Sequence, residues 1–254
     1  MTAPRRTGPI TLAIDIGGTG LKATALDVKG TMLIDRIRVA TPYPLPPSRL
    51  VDTLHEIVQP VNAYDRVSVG FPGMVRGGRV LTAPHLVLKH GPGSQVDPKL
   101  VKAWREFDLA SALTAKLGKP TRVVNDADLQ GLNAASGKGL EVVITLGTGF
   151  GSAVLHDGQL APHIELAQHR FRHGQTYDDQ LGDVTLRRVG TKVWSHRVHR
   201  AIAALDILFA FDHLYIGGGN ASRVRGALGP KVTIIGRDAS LLGGIRLWDQ
   251  GGKF

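Results

Sequence analysis

The chain has 254 residues, 31 of them lysine or arginine against 21 aspartate or glutamate, giving a formal net charge of +10, with 43% hydrophobic residues and no cysteine. That length buries a sizeable core in one large domain or two small ones, two being expected, and the ordinary balance of apolar and charged residues excludes disorder as the default. The lack of cysteine excludes a disulfide framework, a thiolate nucleophile and cysteine-ligated zinc and suits a reducing compartment, while Arg5 and Arg6 lead into only a short apolar strand, neither a signal peptide nor a membrane span.

Apolar runs bounded by turn residues predict strands over Ile10 to Ile16, Leu21 to Val28 and Met32 to Val39, with Lys29-Gly30 turning between the last two. Leu50, Val51, Leu54, Ile57, Val58 and Val61 then recur at helical spacing after Pro46-Pro47-Ser48. Short strands follow at Val67 to Phe71, closed by Pro72-Gly73, and at Val80-Leu81. Pro84 to Pro98 holds three prolines and two glycines and reads as a long loop, either functional or mobile. A helix over Leu109 to Leu117 and a strand over Arg122 to Val124 bring the chain to Asn125-Asp126, which places Asp126 at or near the N-cap of a helix over Ala127 to Ser136.

A second strand pair is expected at Val142 to Leu146 and Gly151 to Leu155. Helices are expected over Tyr177 to Val189 and Thr191 to Phe209, a strand over His213 to Ile216 ending in Gly217-Gly218-Gly219-Asn220, a last strand over Lys231 to Ile235 and a last helix over Ala239 to Leu247. Strand hairpin, helix, strand and helix thus recur in both halves. The order implies an α/β fold of two lobes, residues 1–125 and 126–236, with a cleft between them and a closing helix in 237–254 packing back on the first.

Two glycine turns sit at matching places in the halves: Asp15-Ile16-Gly17-Gly18-Thr19-Gly20 and Leu146-Gly147-Thr148-Gly149-Phe150-Gly151. Each lets backbone N–H groups approach phosphate oxygens without hindrance from Cβ, and Asp126 between them can act as a base. Thr19, Lys22, Thr145 and Thr148 add donors, and Asp15 is placed to hold a hydrated magnesium ion; the plainer role for Asp15 is a turn cap and for Asp126 a helix cap. Gly18-Thr19-Gly20-Leu21-Lys22-Ala23 fits a dinucleotide fingerprint but leads into another strand where that motif opens a helix, so it is rejected. Gly131 to Lys138 is one residue too long for a Walker loop. His163, His169 and His173 match no zinc spacing. Glu165 sits in a polar connection, where it can accept sugar hydroxyls or be a plain surface carboxylate. The basic stretch with Arg187, Arg188, Lys192, Arg197 and Arg200 suits a polyanion such as nucleic acid, polyphosphate or nucleotide, or is a solvated helix face.

Asp15 to Lys22, Gly70-Phe71-Pro72-Gly73, Val124 to Asp128, Leu146 to Gly151, Ile164-Glu165-Leu166 and Tyr215 to Ala221, with Trp194 to Arg197 and Asp238 to Leu247, resemble in order the ROK sugar kinases, and among them the polyphosphate glucokinase branch. The resemblance implies an actin-like, hexokinase-type (ribonuclease H-like) fold and a cytoplasmic enzyme. It implies a hexose substrate, Mg2+, and ATP or polyphosphate as donor. Asp126 would be the base, Asn125 and Glu165 would bind the sugar with Gly73, the turns with Gly17, Gly18, Thr19, Gly20, Gly147, Thr148 and Gly149 would hold the donor, and Gly217, Gly218 and Gly219 would line its distal part. The basic helix would be a track for a longer donor. Two departures fall in the sugar pocket: His85 stands where the family has asparagine, and Gln168, followed by His169, where the branch has histidine. They put glucose itself in question and leave a catalytically weakened sugar- or phosphate-sensing protein as the alternative. Only nine residues precede Ile10, too few for a helix-turn-helix, so operator binding is not expected; a homodimer stays open.

Overall fold

A computed structural model describes residues 8–236 and 239–251; Arg5, Arg6 and Asp238, the expected start of the closing helix, lie outside them. The chain divides into two compact units, one running to Asp126 and resuming at Gly244, the other Ala127–Gly243.

The first unit is built on a five-stranded sheet of β1 (Thr11–Ile16), β2 (Gly20–Leu26), β3 (Ile37–Ala40), β4 (Arg66–Phe71) and β5 (Thr121–Asn125), in spatial order β3-β2-β1-β4-β5. β1, β2 and β3 are antiparallel neighbours, whereas β4 joins β1, and β5 joins β4, in parallel. Every residue of β1 is buried. A central strand covered on both faces has no solvent side to alternate toward, which is why Thr-Leu-Ala-Ile-Asp-Ile reads as a nearly continuous apolar run.

Helices α1 (Pro47–Ile57), α2 (Pro98–Trp104) and α3 (Leu109–Leu117) complete this core with Leu50, Leu54, Trp104, Leu109 and Leu113. The Trp104 indole packs 5.4 Å from the Phe71 ring and donates Nε1–H to the Leu45 carbonyl at 2.9 Å, so its burial leaves no orphaned donor. α2 falls at the end of the segment expected to be a loop. Its start is set by Asp97, whose carboxylate accepts from the Lys99 N–H at 2.9 Å, and by Pro98 as the first helical residue, where its missing N–H costs nothing. The third strand is shorter than expected. After a bridge from Met32 to Leu26 the chain bends, Leu33 N–H donating to the Ala25 carbonyl, and regular pairing resumes only at Ile37.

The second unit repeats this order. β6 (Leu140–Leu146), β7 (Phe150–His156), β8 (Gln159–Leu160), β9 (His213–Gly217) and β10 (Val232–Ile234) lie as β8-β7-β6-β9-β10, with the same antiparallel trio and the same two parallel additions. α4 (Asp126–Ala134) has Asp126 as its first helical residue, one place inside the expected cap.

The predicted helix over Tyr177 to Val189 is two helices, α5 (Tyr177–Leu181) and the start of α6 (Asp183–Phe209). The break lies at Gly182, where a Cβ would stand 2.9 Å from the Asp178 carbonyl and 3.0 Å from that of Thr148. α6 then runs through Gly190, whose φ of 77° and ψ of 162° put a kink where a helix boundary was expected. Its Trp194, Val198, Ala201 and Leu205 pack with Leu181 and Leu186, and the Trp194 Nε1–H reaches the Leu181 carbonyl at 2.9 Å.

α7 (Ala239–Arg246) follows, and its residues from Gly244 onward belong to the first unit. There the Ser68 hydroxyl donates to the Gly244 carbonyl at 2.6 Å and accepts from Trp248 Nε1 at 2.8 Å, while the Arg122 guanidinium donates to the Leu247 and Gln250 carbonyls and lies 4.6 Å over the Trp248 ring. Among the described residues no helix is long and apolar enough to cross a membrane.

Candidate functional site

In the first unit the β1–β2 hairpin closes tightly: Gly17 N–H donates to the Gly20 carbonyl at 3.0 Å. Asp15 and Lys22 are cross-strand partners, and the ammonium lies 2.7 Å from the Asp15 Oδ2 in a pair that is mostly buried on the acid side. The sequence reading placed these two residues at the turn but not in a pair with each other.

Two residues that it missed brace the turn. Thr41 Oγ1 donates to the Gly17 carbonyl at 2.6 Å, and the Tyr43 hydroxyl lies 2.8 Å from the Gly18 carbonyl and 2.7 Å from that of His85. Burial pushes the Tyr43 phenol up to about 12, so it stays a donor. A Cβ on Gly18 would stand 3.1 Å from the His85 Cβ. The first turn, Tyr43 and His85 are therefore one assembly, and the 84–97 segment is tied to the turn through them. A tyrosine in a proline-rich connection gives no periodic signal in sequence.

At the far end of β5, Asn125 is buried and donates Nδ2–H to the Gly73 carbonyl at 2.9 Å. A Cβ on Gly73 would collide with the Thr82 carbonyl, so only glycine lets the two chains approach. Asp126 follows at once, partly exposed, at the start of α4. Gly73, Asn125 and Asp126 thus come together from separate strand ends.

In the second unit the β6–β7 turn is joined to the glycine run after β9. Gly147 N–H donates to the Gly149 carbonyl at 2.9 Å; Asn220 donates its backbone N–H to the Leu146 carbonyl at 2.8 Å and its side-chain amide to the Gly147 carbonyl and to Asp183 at 3.2 Å each. Asp183 N–H in turn reaches the Thr148 carbonyl, and Phe150 N–H the Asp178 carboxylate at 2.7 Å. Gly218 has a φ of 87°, and a Cβ there would run into the backbone of Leu146. Thr145, Gly147, Thr148, Gly149 and Gly217 to Gly219 therefore form one rigid corner, with Asn220 as the tie that the sequence reading quoted without giving a role.

Glu165 precedes a single 3-10 turn, Leu166–Gln168, with its last residue Gln168 and the following His169 exposed. Its neighbour is His163, a buried imidazole 3.1 Å from Asp128 through Nδ1 and 3.9 Å from Glu165 through Nε2. Burial alone pushes this histidine down, but the hydrogen bond to Asp128 and the negative charges of Asp128 and Glu165 outweigh it and raise the pKa to about 10. It is a buried imidazolium held between two carboxylates. The sequence reading weighed His163 only as a zinc ligand, and its acid partner, thirty-five residues earlier, carries no spacing signal. On α6, Lys192, Ser195, His196 and His199 face Arg225 and Gly226 across a cavity of about 580 Å³.

Residues 11–162 match the family model described as the ROK family. The polyphosphate glucokinase of Mycobacterium tuberculosis is 32% identical over 219 residues, covering 83% of this chain and 77% of that enzyme. An N-acetylmannosamine kinase of Escherichia coli is 32% identical over 155 residues, covering 59% of this chain and 48% of the relative. Among solved structures, the inorganic polyphosphate/ATP-glucomannokinase of Arthrobacter sp. strain KM superposes with a TM-score of 0.80 at 30% identity, over 96% of this chain and all of the other. A ROK family glucokinase from Streptomyces griseus, solved with glucose and AMPPNP, gives 0.70 at 20% identity over 94% and 98% of the two chains. The fold is the actin-like, hexokinase-type α/β fold of these kinases.

Proposed function

The chain belongs to the ROK family, and from that premise we propose that it is a kinase moving a terminal phosphoryl group from polyphosphate or ATP to a hydroxyl of a hexose. The observation that carries this reading is the junction of β5 and α4, where a partly exposed carboxylate, Asp126, directly follows an asparagine anchored on the Gly73 carbonyl.

Asp126 accepts the proton of the sugar hydroxyl as its oxygen attacks the terminal phosphorus, a role worth about 10²–10⁴-fold in rate. Asn125 and Glu165 take ring hydroxyls, and His85, Gln168 and His169 set which sugar fits. A hydroxyl left unmatched by such groups costs far more than a missing methylene, so the His85 and Gln168 departures act on sugar choice. The two glycine turns and Gly217 to Gly219 hold the donor through backbone N–H groups, where a Cβ would keep the phosphates away. Rigid bracing by Thr41, Tyr43 and Asn220 means that these donors need no reorganisation as charge moves between the oxygens.

Magnesium travelling with the donor would neutralise charge on the transferred group. Among the described residues no group of three His, Cys, Asp or Glu could hold a metal ion, and the Asp15 carboxylate already carries the Lys22 ammonium. That donor set fits an ion held mainly by phosphates and water with one carboxylate in support, the usual manner for Mg2+.

The test is a panel of hexoses crossed with ATP and polyphosphate, run on the wild type and on Asp126→Asn. Product in the wild type and a loss of at least ~10²-fold in the variant, with an unchanged melting temperature, is expected. Equal rates would remove Asp126 as the base. A flat panel with sugar binding by calorimetry would favour the sensing protein.

A further inference from the structure

The Tyr43 hydroxyl lies between two acceptors, the Gly18 carbonyl at 2.8 Å and the His85 carbonyl at 2.7 Å. Neither carbonyl meets another donor among the described residues. A phenol carries one hydrogen and a carbonyl carries none, so the trio is one hydrogen short. When the hydrogen points at one carbonyl, the other faces a lone pair of the phenol oxygen; when it is split between them, both bonds bend and weaken.

The ring has no room to turn away from this choice. Gly91, at a φ of 92°, packs against it so closely that a Cβ there would stand 3.1 Å from the Tyr43 Cδ2 and 3.2 Å from its Cε2, and a Cβ on Gly18 would stand 3.1 Å from the His85 Cβ. What changes is the direction of one hydrogen.

Each bond also sets a peptide. The C=O and N–H of a trans peptide point in opposite directions, so a donor on the Gly18 carbonyl aims the Thr19 N–H away from Tyr43. Thr41 does the same one peptide earlier: its hydroxyl, 2.6 Å from the Gly17 carbonyl, aims the Gly18 N–H. Neither N–H meets an acceptor among the described residues, and both belong to the turn read as the cradle of the phosphoryl donor. Thr41 commits its hydrogen to one carbonyl, whereas Tyr43 divides its own between two. Gly18 lacks the Cβ that restrains a backbone, so the Thr19 N–H is aimed only as firmly as the Gly18 carbonyl is held. A sugar hydroxyl is itself a donor, and one that donates to the His85 carbonyl supplies the missing hydrogen.

We propose that Tyr43 is a positioning residue that couples the two substrates: a hexose hydroxyl donating to the His85 carbonyl commits the Tyr43 hydrogen to Gly18 and thereby tightens the hold of the first glycine turn on the phosphoryl donor. By linkage the bound donor tightens the hold on the hexose by the same factor. The coupling rests on the reading of the chain as a hexose kinase with His85 beside the sugar.

Initial rates over a matrix of hexose and donor concentrations give the KM for the donor at low and at saturating hexose. Saturating hexose should lower it at least ~5-fold in the wild type and less than ~2-fold in Tyr43→Phe, with kcat little changed. Thr41→Val should raise the donor KM by one factor at both ends and keep the dependence on hexose. On the wild type, the monodeoxy hexose that lacks the donating hydroxyl should lose the dependence while still being phosphorylated, and this series is the readout if Tyr43→Phe does not fold. A folded Tyr43→Phe that keeps the wild-type dependence, or a wild type that has none, would overturn the proposal. No product from the wild type with any pair of substrates refutes the kinase reading instead, and the coupling is then read by titrating the hexose with and without the β,γ-imido analogue of ATP.

Discussion

Replacing His163 by leucine removes the positive member of a buried triad and leaves Asp128 and Glu165 facing each other's charge. Breaking a buried ion pair by deleting one partner costs about 3–5 kcal/mol, because the remaining charge has lost both water and its counterpart. A folded pKa raised from 6.5 to about 10 points to the same scale: at about 1.4 kcal/mol per unit it corresponds to roughly 5 kcal/mol of proton-linked stability. The sign follows from the direction of the shift. With the folded pKa above the unfolded one, the contribution is complete below about pH 6.5 and is lost as the pH rises through about 10. Urea unfolding of the wild type between pH 6 and pH 11 should therefore show stability falling across that window, on top of the background of other groups. His163→Leu should lack this slope and be less stable by several kcal/mol at pH 7. A variant within ~1 kcal/mol of the wild type at pH 7, with a parallel profile up to pH 10, would show that the imidazolium is not what holds this region together.

Tyr43→Phe removes the hydroxyl shared between the Gly18 and His85 carbonyls and should cost about 1 kcal/mol in stability while raising KM for the phosphoryl donor more than it lowers kcat; unchanged kinetics would detach Tyr43 from the donor turn. Gly218→Ala combines a left-handed φ with a collision against the Leu146 backbone, so the melting temperature should fall by an amount equivalent to about 1–3 kcal/mol; an unchanged melt would mean that the corner between β6 and β9 is looser than the hydrogen bonds to Asn220 imply.

Much of the framework was legible because its signals are local. β1 and β6 are long apolar runs ended by glycine turns, α3 begins at Asp108 and stops at a left-handed Gly118, and both patterns need only neighbouring residues to be read. α2 was missed because it begins at the last proline of a stretch read as loop. The break at Gly182 was missed for another reason: its φ of −66° is ordinary, and glycine is required there only because the Asp178 and Thr148 carbonyls press on the position. The site divides in the same way. Asp15, Asn125, Asp126 and the glycine corners were named from motifs, while Tyr43 against Gly18 and His163 against Asp128 are pairings across twenty-five and thirty-five residues that only the folded chain brings together.

The bond from Ser68 to the Gly244 carbonyl spans 176 residues, and Trp248 and Arg122 tighten the same closure. The first unit is therefore made from two stretches of polypeptide with the whole of the second unit between them. On a ribosome, β1 to β5 emerge early and wait, their Ser68 face uncovered, while the second unit is synthesised and can already condense. The half of the molecule that begins first is the half that finishes last. Loss of a few residues at Leu247–Gln250 would thus be felt in the oldest part of the nascent chain, not in the part that precedes them.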